Sequence, residues 1–135
     1  MIDDFAQSMY ARDASAAALG IELVEASPHG AVVTMPVTES MCNGFQLMHG
    51  GMTFLLADSA MAFASNSECT PGEQALAASA EIDWLAPVAV GEQLTATATR
   101  RHGEGRSVVW DVEVATAEGT PVAIFRGRTR RIGER

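Results

Sequence analysis

The run Met52-Thr53-Phe54-Leu55-Leu56-Ala57-Asp58-Ser59-Ala60-Met61-Ala62-Phe63-Ala64 constrains this chain more than any other stretch, because it is apolar almost all round and interrupted by one carboxylate, Asp58. With its flanks it predicts a helix over residues 50–66. A helix that lacks a polar face is buried on most of its circumference. This one falls short of the roughly 20 apolar residues that cross a bilayer. Protein must therefore surround it.

The remaining segments supply the wrapping. Residues 4–19 are Ala-rich and read as a first helix closed by Gly20. Residues 21–25 and 31–35 are β-like runs on either side of Ser27-Pro28-His29-Gly30, which predicts a hairpin. Residues 38–48 read as a loop, and Thr70-Pro71-Gly72 as a turn after the apolar helix. Strands are expected over 75–85, 93–101, 107–116 and 122–132, with turns at His102-Gly103-Glu104-Gly105 and Glu118-Gly119. The alternation in Val108-Val109-Trp110-Asp111-Val112-Glu113-Val114 marks a half-buried antiparallel sheet with one wet face. One antiparallel sheet wrapped around a single apolar helix is an α+β arrangement, the hot-dog fold. The 135 residues make one domain spanning 1–135, a size that buries about two-thirds of the unfolded chain's surface.

Composition removes several function classes. A net charge of −8 argues against nucleic-acid binding, since phosphate contacts dominate that affinity. Cys42 and Cys69 form no C-x-x-C pattern and read as free thiols of a reducing compartment. The N-terminus begins acidic, unlike a signal peptide, and no membrane span is expected; the reading is a cytoplasmic protein. His29, His49 and His102 stand in separate regions and make no metal site, and no cofactor is called for.

The chemistry concentrates in Asn43-Gly44-Phe45-Gln46-Leu47-Met48-His49-Gly50-Gly51, which leads into the apolar helix. First-turn N–H groups of a helix lack intrahelical partners and carry partial positive charge. Gly50 and Gly51 let another group approach them, a ready oxyanion hole for a reacting carbonyl; a tight helix entry would use the same glycines. Asp58 is a carboxylate in apolar surroundings with no basic residue within four positions, and such groups cluster at active sites. A narrow wet stripe shared with Ser59 is the other reading. Asp58 follows Gly50 by eight residues, about 12 Å of helix rise, whereas reacting atoms approach to roughly 3–3.5 Å. One protomer's Gly50 and Asp58 therefore cannot serve one carbonyl, and a symmetric dimer with antiparallel central helices would share two equivalent sites.

Asn43, His49-Gly50-Gly51 and Asp58, followed by Asp83-Trp84-Leu85-Ala86-Pro87 and Gly91-Glu92, resemble the phenylacetic-acid-degradation (PaaI) type of hot-dog acyl-CoA thioesterase, and the resemblance extends to Phe125-Arg126-Gly127. It implies an acyl-CoA substrate, aryl-acetyl or related. Asp58 is then general base or nucleophile, and Gly50 the N–H that polarises the carbonyl. Asn43 and His49 arrange the loop and the leaving sulfur. It also implies homodimers that share sites and pair into homotetramers. Some relatives hold water with a hydroxyl near position 77; here Ala77 and Ala78 stand there, leaving Ser79, Ser59 or Ser65. Gly51 and Phe45 are further substrate-binding candidates, Phe45 with Met48, Phe54 and Met61 for the acyl group. Arg126, Arg128 and Arg130 share one side of the last strand, where they form either a charged outer face or a landing site for coenzyme A phosphates through Arg126 and Arg128. Two alternatives remain: a non-catalytic acyl-CoA sensor, and an enoyl-CoA hydratase, whose Asp-x4-His pattern meets Phe63 here.

Overall fold

The computed structural model describes residues 1–67 and 69–134. Its elements are α1 (Asp4–Ala11), α2 (Ala14–Leu19), β1 (Glu22–Ser27), β2 (Gly30–Pro36), α3 (Gly50–Asn66), β3 (Glu73–Trp84), β4 (Gln93–His102), β5 (Ser107–Thr116) and β6 (Pro121–Gly133). A short 3-10 turn, Glu39–Met41, lies in the segment expected to be a loop. The N-terminal helix is two helices where one was expected. The Asp13 carboxylate accepts from the Ala16 N–H and starts α2 afresh, because an aspartate satisfies a first-turn donor better as a cap than inside a helix. Gly20 closes α2 at φ 72°, as its position suggested.

Six strands form one antiparallel sheet in the order β1-β2-β4-β5-β6-β3. Between β2 and β4 the chain forms α3 and then β3, which crosses to the far edge and pairs with β6. The sheet curls around α3, whose Leu56, Met61 and Phe63 are fully buried. Each such side chain contributes roughly 1.5–3 kcal/mol by leaving water. The strand alternation places Val108, Trp110, Val112 and Val114 of β5, and Phe125, Gly127 and Thr129 of β6, on the inner side. At Gly127 the sheet approaches α3 so closely that a Cβ would fall inside Met61 Sδ.

The C-terminal end of α3 is tied to the start of β3 by a buried asparagine. Asn66 Nδ2 donates to Ala62 O at 2.8 Å and Ala75 O at 3.1 Å, while its Oδ1 accepts from Ala75 N at 2.9 Å. The side-chain amide thus does for β3 what a neighbouring strand would. The Arg131–Glu73 ion pair at 3.2 Å, largely buried, fastens the same end of β3 to β6.

Among the described residues, β3 and α3 each leave a surface uncovered in the protomer. β3 has one strand neighbour, β6, so its other edge is open, and residues 76–81 along it are exposed. On α3, Leu55, Asp58, Ser59 and Ala62 remain only partly covered. Their spacing of three and four residues makes them a single stripe along the helix.

Candidate active site

The segment before α3 is organised by Asn43. Its Oδ1 accepts from Phe45 N at 2.9 Å and Leu47 N at 3.3 Å, and its backbone carbonyl accepts from Gln46 N at 3.0 Å. Gln46 completes the turn in the left-handed region at φ 63°. An asparagine bonding backbone groups further along the chain is a turn former by chemistry. Cys42 and Met48 pair across this turn, and Met48 N and His49 N donate to Val88 O and Met41 O, each at 2.8 Å. His49 is thereby placed as the N-cap of α3.

The first peptides of α3 are held tightly. His49 Nδ1 accepts from Gly51 N at 2.9 Å. A ring nitrogen that accepts carries no proton, so the neutral imidazole holds its hydrogen on Nε2. The carbonyl of the same Gly50–Gly51 peptide accepts from the Trp84 indole Nε1 at 3.1 Å. Gly50 has an ordinary negative φ and needs no special backbone freedom. Its glycine is required by space, since a Cβ would lie 2.9 Å from Trp84 Nε1 and 3.0 Å from Cε2. The Gly50 N–H has no hydrogen-bond partner among the described residues, whereas that of Gly51 is engaged by His49. Of the two glycines, Gly50 is the available donor.

Asn43, Gly50, Thr53, Trp84 and Leu85 line a cleft of about 360 Å³ at this helix end. Asp58 is not part of its wall. It lies on the half-covered stripe beside Ser59, with no hydrogen bond or ion pair among the described residues. Burial among apolar groups raises its carboxyl above the usual aspartate range. α3 is continuous from Gly50 to Asn66, so the separation of about 12 Å anticipated from helix geometry stands. Phe63, five residues on, is fully buried and meets Tyr10 edge-on, so no imidazole occupies the hydratase position.

The other candidates fall elsewhere. Phe45 is 84% exposed at the tip of the Asn43 turn. Ser79 stands opposite Arg128 across the β3–β6 pair, after a bulge between Ala77 and Ser79. Paired residues share a face, so Ser79 points outward with Arg128, away from α3, and cannot hold water at this protomer's inner site. The inner positions nearby are Ala77 and Ala80, opposite Thr129 and Gly127. Ser65 donates to Ala62 O at 3.2 Å. Arg126 binds Asp111 through two hydrogen bonds, at 2.7 and 3.0 Å, and Arg101 shares that carboxylate at 3.0 Å. Those bonds hold the Asp111 carboxyl below the usual range. Ser79, Glu81, Arg126 and Arg128 thus gather around an outer-face hollow, across the sheet from the Gly50 cleft. Arg128 has no ion pair among the described residues. Sequence reasoning passed over Trp84 as an individual group; the signal available was an aromatic with an N–H donor in a chain whose helix begins with two glycines.

Residues 45–123 match the family model described as the thioesterase superfamily. The chain is similar to acyl-coenzyme A thioesterase PaaI of Escherichia coli (strain K12), with 46% identity over 95% of this chain and 89% of that protein. The solved structure of the E. coli PaaI protein from the phenylacetic acid degradation operon superimposes with a TM-score of 0.89, at 45% identity, over 96% of this chain and 91% of that one. A variant of the phenylacetic acid degradation protein PaaI from Thermus thermophilus gives a TM-score of 0.82 at 33% identity, covering 89% of this chain and 100% of the other.

Proposed function

Because the chain belongs to the thioesterase superfamily, we propose that this thioester hydrolase cleaves acyl-CoA, releasing a carboxylic acid and free coenzyme A, at sites shared between two protomers. The observation that carries the reading is the unpartnered Gly50 N–H at the start of α3, on a backbone held in place through the next peptide by His49 and Trp84. A rigid donor at the positive end of a helix stabilises the oxyanion that forms when a thioester carbonyl is attacked.

The second group is Asp58, supplied by the other protomer. As a general base it takes a proton from water, whose oxygen bonds to the carbonyl carbon; the C–S bond then breaks and the thiolate leaves to be protonated. As a nucleophile its oxygen attacks directly, expels the thiolate and leaves a mixed anhydride that water hydrolyses. The His49 Nε2–H is a donor for the departing sulfur, and Asn43 fixes the turn that presents His49. Two observations support the dimer: the open edge of β3 and the half-covered stripe of α3 that includes Asp58. An open strand edge invites pairing with another chain, and pairing about a two-fold axis gives two equivalent sites. Assembly of two dimers into a tetramer, and a cytoplasmic location, belong to the same reading.

For the acyl group we favour aryl-acetyl esters. Support comes from the names of the relatives and from the flat indole of Trp84 in the cleft wall. Arg128 is the freer of the two arginines for a coenzyme A phosphate. The test is thiol release from phenylacetyl, hydroxyphenylacetyl, benzoyl and straight-chain CoA esters, with Asp58→Ala as control. Saturable binding without thiol release would replace this reading by a sensor, and wild-type turnover in Asp58→Ala would remove Asp58 from it. Single-turnover reaction in oxygen-18 water distinguishes base from nucleophile, since only direct attack puts label into Asp58.

A further inference from the structure

We propose that Trp84 is a positioning residue for the oxyanion donor: by bonding the Gly50 carbonyl it fixes the peptide whose other end His49 holds, and so fixes the direction of the Gly50 N–H. The inference rests on the hydrolase reading and deepens it. The geometry is a two-point clamp. A peptide unit is planar, so bonding its carbonyl to Trp84 Nε1 at 3.1 Å and its N–H to His49 Nδ1 at 2.9 Å sets the orientation of the whole Gly50–Gly51 plane. Two dihedral angles at Gly50 separate that plane from the preceding peptide, which carries the Gly50 N–H and is itself held by its carbonyl, His49 O accepting from Met52 N at 2.9 Å.

Glycine is the residue with the widest freedom at those two angles. A donor placed on it needs an external constraint. The close fit of the indole to Gly50, which leaves no room for a Cβ, shows that glycine and tryptophan are matched. The arrangement joins the end of β3 to the start of α3 over 34 positions of sequence. Trp84 is 55% exposed in the protomer, so core burial does not explain where its N–H points.

The experiment separates the N–H from the ring. Trp84 is replaced by β-(3-benzothienyl)alanine, which keeps the bicyclic shape and puts sulfur in place of N–H, and in parallel by Phe. The reading is steady-state kinetics on the best CoA ester together with thermal melting. Loss of one neutral hydrogen bond acting on the donor predicts a fall in kcat of roughly 3- to 10-fold in the benzothienyl variant. KM should stay within about twofold and Tm close to wild type, because shape and burial are conserved. Trp84→Phe should fall at least as far in kcat. Unchanged kcat in the benzothienyl variant overturns the proposal, as does a loss confined to KM, which would make Trp84 a wall of the acyl pocket only. If Asp58→Ala also turns over like wild type, the hydrolase site itself is misassigned; if Asp58→Ala is inactive while the benzothienyl variant is normal, only the Trp84 inference fails.

Discussion

Gly127→Ala should destabilise this protein far more than a change of one methyl suggests. Gly127 lies on the inner side of β6 beneath α3, and a Cβ there would fall inside Met61 Sδ, 2.9 Å from Met61 Cε and 3.0 Å from Phe125 Cε1. Carbon contacts are comfortable at about 3.5–4.0 Å, so Met61 must retreat by about 1 Å. Both Met61 and Phe125 are fully buried, which leaves no solvent space to take up the movement. Overpacking of a filled core costs about 1–3 kcal/mol. For a chain of this length that corresponds to a fall in Tm of roughly 3–15 °C. Met61 is one turn beyond Asp58 on α3, so kcat should also fall. The check is thermal melting of Gly127→Ala, Met61→Ala and the double variant. Met61→Ala alone leaves a cavity and is destabilising, but it removes the atoms that the new methyl meets. The double variant should therefore be more stable than the sum of the singles by about 1 kcal/mol or more. A Gly127→Ala protein that melts within about 1 °C of wild type, or strict additivity in the cycle, would refute the packing argument.

Three further outcomes follow from the same structure. Asp58 must be ionised to act, and burial raises its carboxyl, so kcat/KM should fall toward acid with an inflection above the ordinary aspartate value of about 3.9; an inflection at or below that value would contradict the burial. The sign for stability is opposite to that of a paired carboxylate. Folding favours protonated Asp58, so its contribution is lost as pH rises through the folded-state pKa. Asp58→Asn should thus raise Tm at neutral pH, with a difference that shrinks below the ordinary aspartate range, and melting across pH checks it. Asn66→Ala strips the partners from the buried Ala75 N–H and C=O and should cost about 2 kcal/mol or more, read by denaturant unfolding; a loss below about 0.5 kcal/mol would show that β3 does not depend on that amide.

Much of the fold was legible because its signals are local. The apolar run bounded α3 at Gly50 and Asn66, and alternation located β5 at Ser107–Thr116. What escaped depends on contacts between distant residues. No pattern within 73–84 says that this strand crosses to pair with β6. The bulge between Ala77 and Ser79 reverses which side of the sheet the later residues face, so Ser79, two residues on from Ala77, lies on the outer face. Asn43, His49 and Gly50 were legible as a group because they are neighbours in sequence, while the Trp84 bond to Gly50 joins residues 34 positions apart. Arg126 and Arg128 share a face as their alternation required, but the Asp111 that engages Arg126 comes from another strand.

The central claim is that the Gly50 of one protomer works with the Asp58 of another, and subunit mixing tests it most directly. Gly50→Val and Asp58→Asn proteins, each inactive alone, are unfolded together at equal concentration and refolded. If sites are shared, every mixed dimer has one site with both defects and one with neither. Random pairing makes half the dimers mixed, so activity should return to about a quarter of wild type. Each variant refolded alone should remain inactive. If each protomer used its own Gly50 and Asp58, every site in every dimer would carry one defect, and the mixture would stay as inactive as its parents.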